Sequence, residues 1–198
     1  LLEALEPRLL LAADVDLSVV GAIAADAAEM HSTLPVSWTV RNLGGENANA
    51  DWFERVYLSS DPVFDPADPQ LLNRSARFQT PLPAASDYTA QANLVIPSTA
   101  AGEQYLLFIV DADGRQEETD EGNNVFAHPI TIVPPDVDLT VTGATAPASV
   151  VAGQQLPVSW TVENQGAASA FVSWQDRLFL SGDETLDPSD RLLGGFSA

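Results

Sequence analysis

The chain has 198 residues, 45% of them hydrophobic, and carries 28 acidic against eight basic side chains for a formal charge of −20. That balance repels a phosphate backbone and so argues against a nucleic-acid partner. The absence of cysteine excludes disulfides, a thiolate nucleophile and cysteine-ligated zinc, and no stretch approaches the roughly 20 apolar residues that a membrane-spanning helix needs.

In chain order, the opening LLEALEPRLLLAAD puts Glu3 and Glu6 where an export leader carries positive charge, and reads as a short amphipathic lead. Within residues 1–15, Leu5 to Ala12 reads LEPRLLLA. It resembles the LEPR-xLL segment near the start of very large bacterial surface proteins, departing from it at Ala12, where that pattern has serine. The resemblance implies export or surface sorting.

From Asp16 the pattern is that of strands. In LPVSWTV, Leu34, Val36, Trp38 and Val40 alternate with Pro35, Ser37 and Thr39, a period of two that lines one face of a strand with apolar groups. DLSVVGAIA, ADWFERVYL, LLNRSARFQ, YTAQANLVI, EQYLLFIVD and VFAHPITIV follow the same rule. Seven short strands punctuated by Gly, Pro, Asn and Asp, with no helical period, predict an all-β fold, an immunoglobulin-like seven-stranded β-sandwich over residues 16–133 with Trp38 in its core.

Shifting the sequence by 122 positions superposes LPVSWTV at Leu34 on LPVSWTV at Leu156 and Trp52 on Trp174. Between Asp16 and Asp68, 24 of 53 positions are identical without a gap, so the chain reads as a tandem repeat. Residues 134–137 form a proline-rich linker, and residues 138–198 a second unit holding three strands and the start of a fourth. This second copy is expected to be truncated, its face of Leu156, Val158, Trp160 and Val162 lacking a partner sheet, and the chain to be a fragment of a longer protein.

The first unit ends in IVDADGRQEETDEGNNVFAHPI. This resembles the signature of the CARDB module, a cell-adhesion-related domain of bacteria and archaea: a strand ending in Asp, an acidic Glu-x-x-Glu turn and an Asn-Asn pair, matched by Asp111, Glu118, Glu121, Asn123 and Asn124. Asp16-Leu17 at the start, Asn42-x-Gly44 and Gly102 agree with it. The resemblance implies a non-catalytic extracellular adhesion or spacer repeat of a large bacterial surface protein. Its partners would be neighbouring repeats of the same chain and an unknown surface protein or glycan. The alternative is an accessory module, protein- or carbohydrate-binding, of a secreted hydrolase.

The block YLSSDPVFDPADPQLL returns as FLSGDETLDPSDRLL, matching Asp61, Asp65 and Asp68 with Asp183, Asp187 and Asp190. Three carboxylates and the loop carbonyls can supply the oxygens that calcium needs. Equally, Asp-Pro steps start turns, and Asp caps nearby backbone N–H groups without any metal. The cluster of Asp111, Asp113, Glu118 and Glu121 poses the same choice. Topology is expected to bring the Asp61 to Asp68 loop to the end where the last strand exits, opposite the Glu117 to Asn124 hairpin, so that Asp136 and Asp138 of the linker region join it in a junction site.

No catalytic constellation stands out: His31 and His128 lie far apart, and there is no phosphate-binding glycine loop, G-x-S-x-G or H-E-x-x-H. The expectation is that the chain is no enzyme. Phe53, Tyr57, Trp174 and Phe179 are the aromatics that a sugar-stacking platform would draw on.

Overall fold

The computed structural model describes residues 14–197, so the LEPR-xLL-like stretch lies outside the described residues. Two compact units meet between Pro134 and Pro135.

The first unit contains β1 (Leu17–Ile23), β2 (Ala27–Glu29), β3 (Thr33–Asn42), β4 (Phe53–Ser59), β5 (Gln70–Ser75), β6 (Asp87–Val95), β7 (Gly102–Ile109) and β8 (Val125–Val133). One sheet runs β1-β3-β6 and the other β2-β8-β7-β4-β5. All seven expected segments form strands. Two details differ. The segment from Leu71 stops at Ser75 and gives way to a 3-10 turn over Arg77–Gln79. The short β2 was not anticipated: after β1 the chain changes sheets and pairs parallel with β8 at Ala27 to Glu29, a pairing too brief to show as alternation.

The inward faces are those that the period of two selects. Leu34, Val36, Trp38 and Val40 of β3 are buried, as are Val56 and Leu58 of β4 and Leu106 and Phe108 of β7. They form one core with Trp52, Leu94, Ile96, Ile130 and Ile132, where Trp38 meets Phe108 at 5.5 Å between ring centroids. Bulky residues of β3 lie beside small ones of β6 in the same sheet, as in the pairs Trp38 with Ala90 and Val36 with Ala92, and this leaves room on that face for side chains of the other sheet.

The second unit consists of β9 (Leu139–Thr145), β10 (Ser159–Asn164), β11 (Gln175–Leu180) and β12 (Arg191–Ser197), paired as two hairpins, β10-β9 and β11-β12. Their places follow those of β1, β3, β4 and β5 at the 122-residue spacing. Irregularities follow it too. Val20 is the extra residue in the β1-β3 ladder and Thr142 in the β9-β10 ladder. Leu71 bulges between β4 and β5, and Leu193 between β11 and β12.

Candidate functional site

The doubled aspartates brace turns. Asp61 Oδ1 accepts the Val63 N–H at 2.9 Å, Asp65 Oδ1 that of Ala67 at 2.7 Å, and Asp68 Oδ2 that of Asp65 at 2.9 Å. In the second unit Asp183 Oδ1 accepts the Thr185 N–H at 2.7 Å, Asp187 Oδ1 that of Ser189 at 2.7 Å, and Asp190 Oδ2 that of Asp187 at 2.9 Å. Side-chain hydrogen bonds to backbone N–H two or three residues away are what Asp offers a turn. The Ser189 hydroxyl and N–H together hold the Asp187 carboxyl below its ordinary value.

The pairing of Ser59 with Tyr105, and of Tyr105 with Pro129, sends the Asp61 to Asp68 loop off the end at which β8 runs out. The 111–124 connection is at the other end. Asp136 and Asp138 serve the second unit internally: Asp136 Oδ2 accepts the Ala167 N–H at 3.2 Å, and Asp138 donates its own N–H to Asn164 Oδ1 at 3.0 Å.

The 111–124 connection is a clamp on the first strand. Glu118 Oε2 accepts the Leu17 N–H at 2.6 Å, Thr119 donates its N–H to Val15 O at 2.7 Å, and Asn123 Nδ2 donates to Asp16 Oδ1 at 2.7 Å. Ser18 Oγ donates to Asn123 O at 3.1 Å. Asp111, in the left-handed region at φ 43°, takes the N–H groups of Arg115 and Gln116 on its two oxygens at 3.0 and 2.9 Å. Asp113 Oδ1 accepts the Phe53 N–H at 3.0 Å, and its other oxygen pairs with Arg115. Burial pushes the Glu118 carboxyl up to about 8, with the charges of Asp111, Glu121 and Asp16 adding to the rise and the Leu17 N–H opposing it. Burial likewise raises Asp111.

A divalent ion requires several oxygens converging on one point. Among the described residues, no three acidic or histidine side chains are placed to share one. The clamp does contain two buried acceptors without a donor, Asn123 Oδ1 and Asn124 Oδ1.

A third polar centre joins the two sheets. Glu54, fully buried on β4, accepts the Tyr88 hydroxyl proton from β6 and pairs with Arg74 Nε of β5 at 3.2 Å. Trp52 Nε1 donates to the Tyr88 hydroxyl at 3.3 Å, and the Arg74 guanidinium lies 5.4 Å from the Trp38 ring centroid. Burial raises the Glu54 carboxyl, opposed by Tyr88, Arg74 and Trp38. Burial also raises the Tyr88 phenol, and the Glu54 charge raises it further.

A scan of protein families matches the CARDB model over residues 14–128, more than half of the chain and the whole stretch from clamp to clamp partner. The chain belongs to the CARDB family. CARDB is a cell-adhesion-related, non-catalytic domain family, and no curated protein matches this chain. Solved structures similar to it include the CARDB domain of a Pyrococcus furiosus protein in complex with di-metal ions, at 22% identity and TM-score 0.47, covering 61% of this chain and 94% of that one. A β-glucosidase from Listeria innocua is similar at 10% identity and TM-score 0.40. Another from Erythrobacter marinus is similar at 14% and 0.37. Each of these two matches covers 60% of this chain and 16% of the enzyme.

Of the CARDB signature residues, Glu118 and Asn123 brace the last connection against the start of β1, Asn124 backs Glu118, Asp111 holds the connection itself, and Glu121 is exposed outside the brace. Asn42 has an equivalent part: its Oδ1 accepts the N–H groups of Gly44 at 3.1 Å and Asp16 at 3.3 Å, while Nδ2 donates to Glu46 O at 2.7 Å. Asn164 repeats this with Gly166, Asp138 and Ala168. The aromatics do not form an exposed platform. Tyr57 is buried and packs against Phe64, the rings tilted with centroids 4.7 Å apart, Phe53 is half-buried beside Arg115 at 5.3 Å, and Trp174 and Phe179 are half-buried. His31 Nε2 is 3.2 Å from Ser98 Oγ, and His128 lies in β8. Neither Glu54 nor Tyr88 belongs to a motif along the chain. The signal for Glu54 was present, since residues 54, 56 and 58 share one face of β4.

Proposed function

We propose that this chain is a non-catalytic extracellular adhesion or spacer module of a large bacterial surface protein, built from CARDB-type units in tandem, with residues 135–197 a second such unit. The clamp supports this most directly. It ties the entry strand of the first unit to the connection between its last two strands at four points, involving Val15, Asp16, Leu17 and Ser18. A module that must transmit tension along a chain needs its terminal strand held by bonds that resist peeling. Pulling a single chain by its ends tests this. Glu118→Ala and Asn123→Ala are expected to lower the unfolding force of the first unit, whereas Asp61→Ala, at the opposite end, leaves it near the wild-type value. Equal forces for all three would remove the tether reading.

Calcium enters this reading as a ligand that competes with turns already closed by backbone N–H groups. Replacing Asp65 by Asn retains an oxygen for the Ala67 N–H but removes the charge; replacing it by Ala removes both. The expected outcome is that Asp65→Asn leaves the melting temperature unchanged, in calcium or in chelator. Asp65→Ala should lower it by roughly 4 °C, the shift for losing about 1 kcal/mol of capping in a domain of this size. A calcium-specific rise in wild type that both variants abolish would make the loop an ion site instead.

A further inference from the structure

In a chain with 28 acidic and eight basic residues, the three strands of the β1-β3-β6 sheet hold one of each, Asp87 and Arg41, and these two pair in register. The rest of the outward face is uncharged. Ile23, Ser37 and Gln91 form one row across it, Gly21, Thr39 and Thr89 another, and Pro35 stands beside Asn93. The Arg41 and Asp87 row lies four residues along from Ser37 and Gln91, about 13 Å at the rise of a strand. Here the face dips into an open recess of about 400 Å³, lined by Ile23, Pro35, Ser37, Gln91 and Asn93 among others. That volume is at the small end for ligand sites.

The polar groups around this recess are unengaged. Elsewhere in the first unit side-chain amides brace the fold, as those of Asn42, Asn73, Gln104 and Gln116 do. Gln91 and Asn93 are exposed, and among the described residues neither amide, nor the Ser37 hydroxyl, has a hydrogen-bond partner within the protein. Two apart on β6, the amides leave the same face roughly 7 Å from each other, and each offers both donors and an acceptor. Ile23, 73% exposed, and the exposed Pro35 add apolar surface beside them. Adjacent hydroxyls of a sugar ring ask for paired donors and acceptors, and the C–H face of the ring for apolar contact. No cation lines the recess to hold an anionic sugar, and the charge of −20 repels one. The second unit has a recess of about 410 Å³ at the same place, with Thr145, Pro157 and Ser159 standing 122 positions after Ile23, Pro35 and Ser37. There Thr145 Oγ1 and Ser159 Oγ lie 2.7 Å apart. Two such recesses on one chain suit a ligand of repeated units, since linked weak sites add avidity.

We infer that the recess between β1, β3 and β6 binds a neutral hexose unit of a glycan. Gln91 and Asn93 read its hydroxyls, Ser37 bonds a further one, and Ile23 and Pro35 pack on its C–H face. The inference gives the adhesion reading its class of ligand and rests on that reading. An open site with few hydrogen bonds and no aromatic stacking sets a dissociation constant on the order of 1 mM.

The test titrates the full, isotope-labelled chain with cellohexaose and with maltohexaose and follows backbone amide chemical shifts residue by residue. Saturable shifts are expected at Ser37, Gln91 and Asn93. Gln91→Ala, which removes a side chain that braces nothing, should weaken binding about fivefold, the factor for one hydrogen bond. Thr131→Ala, at an exposed position of β8 in the other sheet, should leave it unchanged. No saturable shift at Ser37, Gln91 or Asn93 with either oligosaccharide at tens of millimolar overturns the site, and so does equal binding of the anionic hexagalacturonate. The same shifts appearing when the chain alone is concentrated would mark the face as a self-contact and overturn it too. Absent glycan binding with a clamp-dependent unfolding force intact would remove the recess and leave the tether; the converse would remove the tether and leave the recess.

Discussion

Glu54 keeps a carboxylate in the core only because three neighbours meet it there: the Tyr88 hydroxyl, the Arg74 guanidinium and the Trp38 indole. Truncating one member of such a group leaves the others desolvated and unpaired. Glu54→Ala should therefore cost about 3 kcal/mol, the low end for breaking a buried pair because Arg74 retains some solvent, measured as a shift in the urea midpoint. Glu118 makes a different prediction, set by pH. Its folded-state carboxyl is raised from 4.5 to about 8, so the folded chain holds this proton more tightly than the unfolded one. The resulting stabilisation is complete below pH 4.5 and is lost as pH rises to about 8. Glu118→Gln retains an oxygen for the Leu17 N–H and adds an amide N–H within the clamp that holds the unpartnered Asn124 Oδ1. Melting temperatures from pH 4 to pH 8.5 should fall less steeply in that variant, and at pH 8 it should be the more stable protein. Parallel curves for the two proteins would show that Glu118 does not titrate in this window.

Among the elements, strands were legible and their closures were not. Alternation along β3 identified Leu34, Val36, Trp38 and Val40 as one face because side chains in a strand have no other choice of side. It could not show β2, three residues long, or the ending of β5 at Ser75, since neither changes the apolar pattern. Asn42-x-Gly44 was visible as a motif, yet the need for glycine became clear only when Asp14 came against it. A Cβ at Gly44 would lie 2.2 Å from Asp14 O, and one at Gly166 would lie 2.1 Å from Asp136 O. Gly44→Ala should therefore push the entry segment off this loop and cost about 2 kcal/mol, as overpacking does. Chemical denaturation measures it, and exchange should quicken at Leu43 and Glu46, whose N–H groups bond Asp16 O and Asp14 O. Unchanged stability would mean that the entry segment adapts freely.

At the level of the whole molecule, charge acts against compaction. The 28 acidic residues outnumber the eight basic ones, and folding concentrates the repulsion of the excess carboxylates. Sodium chloride should raise the melting temperature of the first unit steadily from 10 mM to 0.5 M, as screening shortens the range of that repulsion. A flat response would mean that hydrogen-bonded carboxylates such as Asp111 and Asp65 already carry most of the electrostatic stabilisation.

The sequence by itself determined the all-β class, the alternating core faces, the 122-residue spacing and the resemblance to CARDB, because each depends on local periodicity or on matched positions along the chain. Only the tertiary structure decided what the acidic residues do. Whether Asp65 meets a backbone N–H two residues on, Glu118 the start of β1 or Glu54 a tyrosine from the other sheet depends on chain segments up to 101 residues apart. A carboxylate's role is set by whichever donor folding brings within about 3 Å of it, and that distance is not written in its neighbours along the chain.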